Sequence, residues 1–370
     1  MNFDFSEDQK LLQQTARDFL EENSPLSACR EVLESDQPYA AELWKNTAEM
    51  GWQGAVIPEE YGGAGFGYLE LAMIAQEVGR ALAPIPFSSS VYLATEAILA
   101  AGSDEQKKRF LPPLASGESI GTMALVEKTG QNGIEALETR FEKGKISGTK
   151  IAVADGDSAD LAVVAANSAK GVSLALVELG AAGVKRERTT SFDPSRSLAT
   201  IRLEGAPAEL LGEEGKGAEL ADRILDRAAV LMAFEQVGGA ERGLEMTVEF
   251  AQGRYAFGRP IASFQALKHR IADVWCGIEL ARSNAYYGAW ALSNEAEELS
   301  VAAAAARVAA SKAFELQVRE MIQIHGGVGF TWEYDCHLFY RRAKLLAVIL
   351  GSPPSWRDKL VRRVAAQRAA

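Results

Sequence analysis

Apolar positions recur at helical spacing through the first third of the chain. Leu11, Leu12, Ala16, Phe19 and Leu20 fall on one helical face, behind a Ser6/Gln9 pair that reads as a capping box. "GWQGAVIPEEYGGAGFG" (51–67) interrupts as a glycine-rich loop, and "YLELAMIAQEVGRAL" resumes the helical pattern. "SDEQKKRFLPPLASGE" predicts one more short helix, stopped by Pro112 and Pro113. Near residue 119 the period shortens. "KISGTKIAV", "ADLAVVAA", "VSLALVEL" and "LATIRLEG" are short apolar or alternating runs separated by Gly, Asp and Ser, which predict a small antiparallel β domain over about 119–210. After a polar linker, "LLGEEGKGAEL" (210–220), the helical period returns in long stretches: roughly 216–252, 262–292, 295–325 and 336–348, with a short helix possible after Pro354. Long helices joined by short turns predict a bundle. The expected division is 1–118 helical, 119–212 β and 213–370 helix bundle, an α+β chain in three domains.

The chain has 370 residues, enough for a large core. A net charge of -11 argues against non-specific binding to nucleic acid or to acidic membranes. Cys29, Cys276 and Cys336 stand far apart with no CxxC pair, which suits a reducing compartment. His269, His325 and His337 have no metal spacing, so no metal site is expected. The opening "MNFDFSEDQK" lacks the apolar core of a signal peptide, and the alanine-rich run 301–310 is too short to span a bilayer. A cytoplasmic protein is the expectation.

"QIHGGVGFTW" (323–332) places three glycines in four positions, Gly326, Gly327 and Gly329, after a helical stretch. One left-handed residue suffices to end a helix. The others suggest that something large approaches the main chain. The stretch has no phosphate-loop lysine and does not open a helix after a strand, so neither nucleotide fingerprint applies.

"RYAFGRPIASFQALKHRIADVW" (254–275) and, some sixty residues later, "QIHGGVGF" together resemble the acyl-CoA dehydrogenase family. "GWQGAVIPEEYGGAGFGYLELAMIAQEVGRA", "LPPLASGESIG" and "LGEEGKG" resemble its N-terminal domain and its linker, in the right order. The resemblance implies an N-terminal α domain, a middle β domain and a C-terminal four-helix bundle. It implies FAD, an acyl-CoA substrate, a dimer or tetramer, and electron-transfer flavoprotein as acceptor. The adenosine diphosphate half of each FAD would be held by the neighbouring subunit. Arg254 would meet the pyrophosphate, for which its charged fork is suited. Phe257 and Gly258 would form the turn on the adenine side, and Gln265 would hydrogen-bond nearby. Gln323, Gly326 and Gly327 would let backbone approach the dinucleotide.

The departures from the family are as informative. Dehydrogenation needs a base for the α-proton. The family's glutamate stands in a Tyr-Glu-Gly-Thr turn, which here reads Ile349-Leu350-Gly351-Ser352, or at the start of the first bundle helix, where Ala228 and Ala229 stand. No catalytic residue is therefore assigned. "LVEKTGQNG" (125–133) keeps only Glu127 of the family's flavin-side motifs, and "GTKIAVADG" has Ala152, Val153 and Ala154 where the family has Trp-Ile-Thr. Three readings follow. The chain is the base-less partner in a heteromeric enzyme of the kind that acts on bulky steroid or dicarboxylate CoA esters, whose smaller subunit "GFTWEYDCHLFYRRAKLL" resembles. Or it is a self-sufficient dehydrogenase using Glu235, which lies seven residues and about 10 Å beyond Ala228 on the same helix. Or it is a helical scaffold without flavin. For Glu235 the plainer role is an ion pair with an arginine such as Arg270 or Arg282.

Overall fold

The computed structural model describes residues 5–131, 133–134 and 136–369. The chain divides into two compact units, each assembled from separated stretches: residues up to 30, 68–83 and 229–370 in the first, and 31–67 and 84–228 in the second.

The first unit is helical. α1 (Glu7–Asn23) begins at the expected capping box, with Ser6 Oγ accepting from Gln9 N and the Gln9 side chain from Ser6 N. It buries Ala16 and Leu20, while Leu11 faces solvent. α4 (Tyr68–Arg80) packs against α7, a helix of 37 residues (Gly217–Gly253) whose later part belongs to this unit. The two backbones come unusually close. A Cβ on Gly79 would lie 1.9 Å from Glu235 O, and one on Gly238 would lie 1.8 Å from Gln76 O. Only glycine fits at either place. α8 (Gln265–Ser293), α9 (Leu299–His325) and α10 (Cys336–Val348) follow close to the bounds that periodicity predicts. α11 (Pro353–Ala369) is longer than its polar sequence suggests. Trp356 anchors it, buried and donating to Leu350 O at 2.9 Å, and Arg363 donates to Ser300 O.

The second unit holds the sheet. Its strands are β1 (Gly121–Ala124), β2 (Arg140–Glu142), β3 (Lys145–Ala154), β4 (Leu161–Ser168), β5 (Gly171–Glu178), β6 (Val184–Thr189), β7 (Leu198–Pro207) and β8 (Glu209–Leu211). Their order is β6-β7-β3-β2-β4-β5-β8, with β1 beside β4. The sheet is mixed rather than wholly antiparallel: β1 and the first residue of β2, Arg140, pair in parallel with β4. β4 and β5 carry the buried apolar runs, whereas β6, "VKRERT", is a polar edge without apolar alternation. Around the sheet lie α3 (Ala41–Glu49), α5 (Glu96–Ala101), α6 (Asp104–Ala115) and a buried π-helical stretch, Ser88–Thr95, while α2 (Leu26–Glu34) is divided between the two units at residue 30. Pro112 and Pro113 do not stop α6 but sit within its last turn. The amide bonds they forgo would have gone to the carbonyls of Lys108 and Arg109, both exposed residues.

Candidate functional site

α7 ends at Gly253, and the chain turns back through a two-stranded hairpin, β9 (Tyr255–Ala256) and β10 (Arg259–Pro260). Phe257 and Gly258 form its tip, both with positive φ, 53° and 77°. Left-handed backbone is ordinary for Gly258 and costly for Phe257, by about 1–3 kcal/mol. It holds the Phe257 ring outward, 95% exposed. Arg254 O accepts from Ile261 N at 2.8 Å, closing the hairpin's base. The Arg254 side chain is exposed, and no carboxylate pairs with it among the described residues. Phe264 caps the start of α8 with its extended backbone, and its ring meets the Arg259 guanidinium at 4.1 Å and the edge of Phe257 at 6.2 Å. Gln265, the first residue of α8, is exposed.

The second group lies where α9 ends. Gln323 is exposed, and Gly326 terminates the helix at φ 63°, ψ -135°, a conformation closed to side-chain-bearing residues. The three glycines have three different causes. Gly329 is crowded from within, since a Cβ there would lie 2.8 Å from Ile322 O. Gly326 is required by its dihedral angles. Gly327 has neither cause: no atom lies within 4 Å of a Cβ at Gly326 or Gly327. Phe330, just beyond, is 85% exposed.

The two groups share one end of the bundle. Phe250, in the last turn of α7, stacks on His325 with centroids 4.1 Å apart, and Tyr334 meets both rings edge-on. Arg270 in α8 pairs with Glu320 in α9. Burial lowers the pKa of His325, outweighing its 2.7 Å bond to Met321 O, so the stack holds a neutral imidazole at pH 7. Arg259, Phe264 and Phe330, which sequence reasoning did not single out, belong to this end as well. Their only signal was their place within the two quoted motifs.

The positions expected to be empty of a base are buried. Leu350 is 5% exposed, and Ala228 and Ala229 are wholly buried. Glu235 is also wholly buried. Neither proposed arginine is its partner: Arg270 goes to Glu320, and Arg282 to Glu241 and Glu279. The arginine that feels its charge is Arg307, which burial pulls down to about 9 against the upward pull of Glu235. Arg307 donates to Gln236 Oε1 at 2.8 Å and to Leu346 O.

In the second unit, β3 has a register shift between Lys150 and Val153, and Ala152 there takes φ 51° and is exposed. Glu127 accepts from Lys150 Nζ at 2.7 Å and from the amides of Glu138 and Thr139. Burial pushes its carboxyl up, but Lys150 and these donors outweigh that and hold it at about 2. Burial in turn lowers the Lys150 ammonium, only partly offset by Glu127. Glu127 is thus fully occupied in fastening its own loop.

Residues 6–118 match the family model described as acyl-CoA dehydrogenase, N-terminal domain, and residues 215–365 the one described as acyl-CoA dehydrogenase, C-terminal domain. The chain is 37% identical over 348 residues to acyl-CoA dehydrogenase IpdE2 of Mycobacterium tuberculosis, covering 94% of each chain. In fold it is similar to a chain of the ChsE4–ChsE5 complex from Mycobacterium tuberculosis, with TM-score 0.90, 27% identity and 99% of each chain covered. It is likewise similar to a chain of the Tcur3481–Tcur3483 steroid ACAD variant, with TM-score 0.90, 29% identity and coverage of 98% and 99%.

Proposed function

The chain belongs to the acyl-CoA dehydrogenase family of oxidoreductases, and within that family we propose that it is the partner subunit without a base in a heteromeric, FAD-dependent enzyme. The observation that carries this reading is the pairing of Leu350 and Ala228, buried and unable to accept a proton, with an outward-facing set of cofactor-motif residues.

The residues present fit the adenosine half of FAD. Arg254 offers an exposed cation without an ionic partner of its own among the described residues. Phe257 offers an open ring for an adenine to lie against, and Gly326 and Gly327 leave room at bare backbone where no neighbour of this chain intrudes. FAD, when bound, supplies the hydride acceptor. This chain's part is to bind and orient: Arg254 holds pyrophosphate oxygens by charge-assisted hydrogen bonds, Phe257 and Gly258 shape the turn, and Gln265 and Gln323 supply side-chain amides. The base comes from the sister subunit. The steroid ACAD and ChsE4–ChsE5 neighbours support a bulky, steroid-like acyl-CoA as substrate and a two-chain assembly. Electron-transfer flavoprotein is the acceptor this reading expects.

The test is purification from the native host through a tag on this chain. A co-purifying acyl-CoA dehydrogenase with its own glutamate base, and FAD lost on Arg254→Ala, is the expected result. Turnover of acyl-CoA by this chain alone, abolished by Glu235→Gln without loss of folding, would replace the reading with a self-sufficient enzyme.

A further inference from the structure

Residues 331–335 join the glycine turn (Gly326–Phe330) to α10 without regular structure, and the first four are exposed. They nevertheless link the two motif groups. Tyr334 meets the rings of Phe250, four residues before Arg254, and of His325, the residue before Gly326. A shift of this segment would be felt at the hairpin and at the glycine turn together. What holds the segment comes from far away in the chain. Arg30, in α2, donates from Nη1 to Trp332 O at 2.7 Å and from Nη2 to Asp335 Oδ1 at 2.6 Å. Its guanidinium lies 5.8 Å from the centroid of the Trp332 ring, and that of Arg341 lies 5.7 Å from it. His337 stacks on the same indole, with centroids 4.5 Å apart. Burial lowers the pKa of His337, outweighing its bond to Trp332 O, and the two arginines lower it further, so a neutral ring lies on the indole at pH 7.

We propose that Arg30 is a positioning residue for the cofactor: by gripping the middle and the end of segment 331–335, it sets how the hairpin and the glycine turn stand to each other. The inference rests on the FAD reading above. A short loop with exposed side chains samples many conformations unless it is tied down, and a ligand that needs one of them must order it on binding. Fixing the loop beforehand removes that cost and raises affinity without a new contact to the ligand. An arginine suits the task because one planar fork reaches a main-chain carbonyl and a carboxylate at once, whereas a lysine ammonium is a point charge on a flexible stem. The pair is also partly shielded, with the side chains of Arg30 20% and Asp335 33% exposed. Arg30 thus acts through the segment, and Arg254 on the cofactor.

The test sets Arg30→Ala against Arg80→Ala, which breaks another partly shielded ion pair, from Arg80 in α4 to Glu245 in α7. In the free chain, amide hydrogen exchange over 326–335 is expected to quicken about tenfold in Arg30→Ala and to stay unchanged in Arg80→Ala. The complex from the native host is then stripped of FAD and titrated with it. Arg30→Ala should raise the FAD dissociation constant about tenfold, and Arg30→Lys should fall between it and the parent. Arg80→Ala should leave FAD affinity unchanged, whatever it does to the melting temperature. Should Arg30→Ala fail to fold, Arg30→Lys takes its place in both arms. Unchanged FAD affinity in the Arg30 variants would overturn the inference and leave the FAD reading standing. Equal weakening in Arg80→Ala would also overturn it, by making the effect one of general stability. If Arg254→Ala too left FAD affinity unchanged, or no complex bound FAD, the FAD reading itself would fall.

Discussion

At the hairpin end of the bundle, side chains stand outward with little to do inside their own chain. Phe257 accepts an unfavourable backbone conformation to remain 95% exposed, and Gly327 is bare where nothing in the chain requires it. The base positions are the reverse: Leu350 and Ala228 are packed away, and Leu350 gives even its carbonyl to Trp356. Residues kept for stability are satisfied where they lie. On the heteromeric reading proposed above, residues kept for a partner are left unsatisfied until it arrives, and the contrast separates what this chain does for itself from what it holds ready for another.

The largest effect expected is on catalysis. Without a base, the chain alone should turn over acyl-CoA about two to four powers of ten more slowly than the complex. Steady-state assay of both preparations with one electron acceptor checks this. Comparable rates would erase the contrast between the two regions.

Arg254→Ala sharpens the other side of the comparison. Removing a charge-assisted contact should weaken FAD by about 1.5–3 kcal/mol, roughly 10- to 150-fold. Titration of apo complex at limiting FAD reads it directly. The free chain's melting temperature should not move, because Arg254 is exposed and no partner within the described chain depends on its side chain. A stability loss with unchanged FAD affinity would assign Arg254 to the fold.

Leu350→Glu is expected to fail as a rescue. The new carboxyl would enter a site only 5% exposed, at a cost of about 1–3 kcal/mol in stability as the neutral acid and more when ionised. β3 would still carry Ala152 and Ala154 where the family has Trp and Thr. Thermal unfolding should show the loss, and the assay should show no gain. Ordinary turnover by this single variant would mean that the flavin side is intact.

Much of this was legible in the sequence. The long helices α7 to α10 end close to where apolar periodicity stops, because burial of one face defines both pattern and length. Strand β6 was not legible, since an edge pairs through its backbone and its side chains show no alternation. The parallel pairing of β1 with β4 was hidden too, because strand sequence does not encode direction. At the site, the resemblance to the family pointed to Arg254 and Gln265. Residue types and spacing could not distinguish Gly329, needed for packing, from Gly327, which is not. Nor could they show that Glu235 answers to Arg307, seventy-two residues away, rather than to Arg270 or Arg282. Contacts of that kind are made by the crossing of helices.

The smallest effect concerns Glu127, the one flavin-side residue retained. If it serves the loop and not a flavin, its signature is a pH dependence of stability that does not depend on FAD. Its folded pKa, about 2, lies below the ordinary 4.5. A carboxylate depressed in this way stabilises the fold fully above about pH 4.5, and that contribution fades as pH falls toward about 2. Glu127→Gln should therefore lower stability near pH 7 and flatten this part of the acid limb, in FAD-free chain as much as in the complex. Urea unfolding between pH 3 and pH 7 would show it. If the variant changed stability only when FAD was bound, Glu127 would belong with Arg254 among the residues held ready for the cofactor, and the division between the two regions would have to be redrawn.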